Sequence, residues 1–125
     1  MRPRYEILKK LLKLEENLNG LKKELGQYAW DLADTEQPTI HTRQDILNVL
    51  NRYLSGELND LQLNEWADFI IMREDIDNEK GYNGLINTIM FNIARETSID
   101  PLITREEVLE LAEELKTTPF DPNED

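Results

Sequence analysis

From Ile7 to Leu32 the apolar positions recur in steps of four and three: Ile7, Leu11, Leu14, Leu18, Leu21, Leu25, Tyr28 and Leu32. A 4-3 repeat sustained this far predicts one long amphipathic helix over residues 4–33, with its apolar stripe along a single side. Lys10 and Glu15 flank the stripe with opposite charges, which suits pairing with a neighbouring helix. Such a stripe has two uses. It can lie on the chain's own domain, or it can serve as the arm of a homodimer. Gly20 and Gly26 each cost about 1 kcal/mol relative to Ala inside a helix, and they mark a bend, or a break near Gly26.

Residues 34–41, DTEQPTIH, interrupt the pattern. Pro38 lacks an amide hydrogen and disfavours helix in the residue before it. Thr42 then has the hydroxyl to cap a second helix, with Asp45 three residues on. Ile46, Leu47, Val49, Leu50, Tyr53 and Leu54 form its inner stripe, and Ser55-Gly56 ends it. Asn59 is placed to cap a third helix over about residues 60–73, where Leu63, Trp66, Ala67 and Ile70 share a face. Phe69-Ile70-Ile71-Met72 is too long an apolar run for a one-sided surface helix, so this helix is expected to be covered on most sides. A polar loop, residues 74–84, leads to a fourth helix over 85–96. Asp100-Pro101 breaks the chain again. Thr104 with Glu107 reads as a capping box for a fifth helix ending near Lys116.

No alternating strand pattern and no solenoid-length repeat is seen. The expected fold is therefore all-α: a compact bundle of four short helices over 42–116, preceded by the long N-terminal heptad helix over 1–33. Residues 34–41 are read as a connector and 117–125 as a flexible acidic tail.

Composition narrows the chemistry. There are no cysteines and one histidine among 125 residues, so disulfides, thiol nucleophiles, thiolate zinc sites and multi-histidine metal sites are excluded. No apolar stretch approaches the roughly 20 residues of a membrane span. The start, MRPRYEILKK, lacks the apolar block of a secretory signal, so the expectation is a cytoplasmic protein that avoids membranes. The loop from Asp75 fails as a calcium-binding EF-hand: Lys80 stands where glycine is required and Ile86 where glutamate is required. His41 has no serine beside it to activate, and the five glycines are too scattered for a phosphate loop. No catalytic residue and no cofactor is expected, and the chain is read as a non-enzyme.

Charge points to a partner. The chain holds 14 Lys and Arg against 26 Asp and Glu, a net charge of −12. That argues against nucleic-acid binding, which needs clustered cations. Residues 1–25 carry seven cations and four acids; the remainder carries seven cations and 22 acids, a net of −15. One acidic concentration spans the third helix and its loop, and another the last helix and tail. The expected docking surface comprises Glu65, Asp68, Glu74, Asp75, Asp77 and Glu79, with Trp66, Phe69 or Met72 as apolar anchors. Its expected partner is a basic protein, steered in by the acidic field.

The stretch Arg43 to Ala67, RQDILNVLNRYLSGELNDLQLNEWA, resembles the opening of small bacterial immunity-type proteins encoded beside secreted toxins. A helix ending Tyr53-Leu54-Ser55-Gly56, a short step, and a helix bearing Leu63, Trp66 and Ala67 carry the resemblance over 25 of the residues. It implies a protein that binds and blocks a cognate toxin, often a cationic nuclease, and it implies no catalytic residues. The alternative expectation is a homo-oligomeric scaffold joined through the N-terminal arm.

Overall fold

The structure is a computed structural model that describes residues 3–27, 38–95 and 102–123. Two helices lead the chain, α1 (Arg4–Lys13) and α2 (Leu18–Leu25). They are followed by β1 (Thr39–His41), α3 (Arg43–Leu54), α4 (Asp60–Ile71), β2 (Ile76–Asn78), α5 (Asn83–Ile93) and α6 (Arg105–Thr117). The described chain is mostly helical, with one small sheet.

The expected single N-terminal helix is two helices. Leu14 takes the left-handed conformation, φ 50° and ψ 42°. Its N–H donates to the Leu11 carbonyl at 3.1 Å, and the Glu15 N–H donates to the Lys10 carbonyl at 3.1 Å. That is the two-bond Schellman termination, here on leucine instead of the usual glycine. A left-handed leucine costs roughly 1–2 kcal/mol. Two contacts offset it. The Leu14 side chain is buried, and the Arg52 guanidinium donates to the free carbonyls of Lys13 (3.3 Å) and Leu14 (2.6 Å). Asn17 then caps α2 by accepting from the Gly20 N–H at 3.2 Å. The chain therefore breaks at Leu14 to Asn17, ahead of both glycines.

The described part of the heptad stripe packs on its own chain. Ile7, Leu11, Leu14, Leu21 and Leu25 are all buried in this chain's own core, and Leu18 packs partly against it. Tyr28 and Leu32 lie outside the described residues, as do connector residues 34–37, the Asp100-Pro101 break and the last two acids of the tail. Lys10 and Glu15 pair with each other at 2.8 Å across the break.

Three caps read from the sequence are present. Thr42 accepts from the Asp45 N–H at 3.1 Å. Asn59 with Gln62, and Thr104 with Glu107, form complete capping boxes. α4 packs on α5, α3 on α6, and α1 on both α2 and α3. Trp66, Leu50, Ile86, Ile89 and Val108 are fully enclosed among them.

The fold is largely helical, as expected, with one small sheet added to it. β1 and β2 run parallel, pairing Thr39 with Ile76, Ile40 with Asp77 and His41 with Asn78. Three-residue strands are too short to show a period-2 pattern, and Asp77 and Asn78 are poor strand formers. Tertiary placement makes them pair.

Candidate functional site

The six acids expected at a docking surface divide into two groups. Asp75 is used within the fold. Arg73 grips it with two hydrogen bonds, Nε to Oδ1 at 2.9 Å and Nη2 to Oδ2 at 2.6 Å. Arg4 Nε of α1 stands 3.7 Å from its Oδ2, with both side chains largely buried. The Asp75 carbonyl also accepts from the Thr39 N–H at 3.1 Å. One aspartate thus ties α1, β1 and the end of α4 together, so it is not free to meet a partner.

Glu79 is also committed. Its Oε1 accepts from the main-chain N–H and the Nε of Arg43, each at 3.0 Å, and its Oε2 from Nη2 at 3.1 Å. The Arg43 guanidinium holds the Glu79 carboxyl below its usual range, and burial opposes this only in part. The guanidinium lies 3.5 Å over the Tyr82 ring. Glu79 therefore caps the start of α3, where a negative charge also meets the positive helix end.

Glu65, Asp68, Glu74 and Asp77 make up the second group. All four are exposed, and none has an ion-pair partner among the described residues.

The three expected anchors also separate. Trp66 is fully buried, its indole donating to the Leu11 carbonyl at 2.8 Å. It is a core residue, because its ring lies on the same helical face as Leu63, Ala67 and Ile70. Phe69 is half-buried, its ring flanked by Lys22 Nζ at 5.1 Å and by the Arg73 guanidinium at 5.7 Å. Met72 is 74% exposed. The apolar run is thus covered at Phe69, Ile70 and Ile71 and open at its last residue.

Leu61, absent from the expected set, is 50% exposed one turn before Glu65. Leu61, Glu65, Asp68 and Met72 follow steps of four, three and four, so they lie in one row along the outside of α4. At 1.5 Å per residue the row is about 16 Å long. An apolar side chain stands at each end and two carboxylates stand between them. The signal was available in the sequence: Leu61 lies opposite the Leu63, Trp66 and Ile70 stripe on the helix circumference.

A second acidic row lies on α6, where Glu106, Glu110 and Glu113 are exposed beside Leu109. Glu107 is set apart from it, because Arg95 Nη2 donates to its Oε2 at 2.6 Å. That arginine lowers its pKa, helped by the Thr104 N–H.

His41 packs inside. It is fully buried, with the Trp66 ring edge-on at a centroid distance of 6.0 Å, and neither ring nitrogen has a hydrogen-bond partner. Desolvation lowers its pKa to about 4, so the ring is neutral at physiological pH. Among the described residues no group of three or more His, Asp or Glu side chains is arranged to hold a metal ion. No helix among them is long and apolar enough to cross a membrane. Comparison with family models, with curated proteins and with solved structures finds no match to this chain.

Proposed function

We propose that this chain is a non-catalytic acidic binding protein that captures and occludes a cationic protein partner, in the manner of an immunity protein against a bacterial toxin. The outer row of α4 carries the reading. Leu61 and Met72 leave apolar surface in water that a partner would cover, at up to about 1.5–3 kcal/mol for each side chain fully buried. Glu65 and Asp68, unpaired between them, would meet the partner's cations. A net charge of −12 draws such a partner in and speeds encounter, most strongly at low salt. Asp75 and Glu79 contribute indirectly, by holding the segment after α4 in place.

The test uses candidate cationic proteins, those encoded beside this gene first. Titration calorimetry is expected to give a complex whose affinity falls as salt rises. Glu65→Lys with Asp68→Lys is expected to slow association by about ten-fold, and Met72→Ser with Leu61→Ser to speed dissociation. No complex at low salt, or a complex indifferent to all four substitutions, refutes the assignment.

A further inference from the structure

A groove of about 690 Å3 runs between α1 and β1, remote in character from the acidic row of α4. Its α1 wall carries Tyr5, Lys9, Leu12 and Lys13, and its opposite wall Pro38 and Ile40. We propose that this groove receives a short extended peptide segment, alternately acidic and apolar, from a partner protein.

Charge complementarity carries the proposal first. Lys9 and Lys13 stand one turn apart on one side of α1, exposed; Lys9 lies over the Tyr5 ring at 4.6 Å, and neither forms an ion pair among the described residues, the Glu15 carboxylate that Lys13 influences being held by Lys10. Adjacent like charges at this spacing oppose each other, and an incoming carboxylate relieves that. Asp45 lies on the other rim. It repels an acid there and directs it towards the lysines.

The shape and the apolar walls select an extended peptide over a small anion. Ile40 and Tyr5 are 48% and 45% exposed, apolar surface that a small anion leaves uncovered. The α1 wall from Pro3 to Lys13 is about 15 Å long, the span of about five extended residues.

The sheet edge supplies the third observation. The Thr39 N–H donates to the Asp75 carbonyl, and the His41 carbonyl accepts from the Glu79 N–H at 2.9 Å. Strand alternation therefore turns the N–H and C=O of Ile40 to the opposite edge. No strand pairs with β1 on that edge among the described residues. A peptide can add there by main-chain hydrogen bonds, with its side chains alternating between the lysines and the apolar wall residues.

The test is a titration of the full-length, isotope-labelled protein with a capped peptide alternating glutamate and valine, followed by amide chemical shifts. The expected result is saturable shifts at residues 39–42 and along α1. Lys9→Gln with Lys13→Gln is expected to weaken binding by about ten-fold without changing the melting temperature, and Glu65→Gln with Asp68→Asn to leave it unchanged. A peptide alternating lysine and valine should not bind at this groove. Absence of shifts here, shifts insensitive to the lysine substitutions, or equal binding of citrate overturns the proposal. None of these outcomes touches the α4 assignment, which the Glu65 and Asp68 variants report separately.

Discussion

The indole N–H of Trp66 donates to the main-chain carbonyl of Leu11 at 2.8 Å, joining α4 to α1 across 55 positions of sequence. Leu11 belongs to the heptad stripe and Trp66 to the inner face of α4. The contact makes the N-terminal helix pair part of the same core. Trp66→Phe keeps most of the ring volume and removes the donor, leaving the Leu11 carbonyl with the Leu14 N–H alone. We expect a loss of about 0.5–1.5 kcal/mol in urea unfolding. Trp66→Ala, which adds a cavity, is expected to cost about 3–5 kcal/mol. A Trp66→Phe variant as stable as the parent would mean that the helix pair is held by the apolar contacts alone.

His41 sets a pH dependence. Its folded pKa is about 4 against an ordinary value of 6.5, because the buried ring has no partner for its protonated form. The unfolded chain therefore binds the proton more readily. Stability is complete above pH 6.5, falls as pH drops from 6.5 towards 4, and loses nothing further to this group below that. The whole effect is on the order of 3 kcal/mol. Glu79 and Glu107 have lowered pKa values, so their contribution is lost only at lower pH, as each carboxylate protonates. Unfolding measured across pH should show the upper part of this slope vanish in His41→Phe.

Gly81 has φ +86°, where side chains are strained, and a methyl there would run into the Phe120 ring. That ring lies edge-on to Tyr82 at 5.9 Å, and the Asp121 N–H donates to the Gly81 carbonyl at 3.0 Å. Gly81→Ala is expected to cost at least about 1 kcal/mol from backbone strain, with the clash added. Phe120→Ala removes the clash but leaves the strain, so the double variant should lose less than the sum of the two singles. Strict additivity in urea unfolding would show that Phe120 moves aside at no cost.

Glu79→Gln removes the charge that pairs with Arg43 and caps α3. Both side chains are partly exposed, so screening limits the loss to about 1 kcal/mol. Met72→Lys, at a site 74% exposed, should change stability by no more than about 0.5 kcal/mol. A large loss there would mean that Met72 supports the fold, and the α4 row would no longer read as a surface kept for a partner.

Much of the architecture was legible in local chemistry. Thr42, Asn59 and Thr104 announced the starts of α3, α4 and α6, because a cap acts over three residues and needs nothing distant. The inner faces of α3 and α4 followed from helical period. The acid excess and the lack of thiols were plain from counting. The break at Leu14 was not legible, because leucine is a good helix former. Its left-handed turn is tolerated only because its side chain is buried and Arg52, 38 residues on, caps the exposed carbonyls. Strands β1 and β2 were equally hidden, since Arg4 of α1 and Arg73 of the loop after α4 hold Asp75, whose carbonyl accepts from the Thr39 N–H of β1.

The candidate site divides along the same line. Composition identified the acidic surplus, because net charge adds up without regard to position. Which acids remain available was settled by neighbours far away in sequence: Arg4, Arg43 and Arg73 engage Asp75 and Glu79, while Glu65 and Asp68 are left unpaired. Charge is a property of the residue, but availability depends on what the folded chain sets beside it.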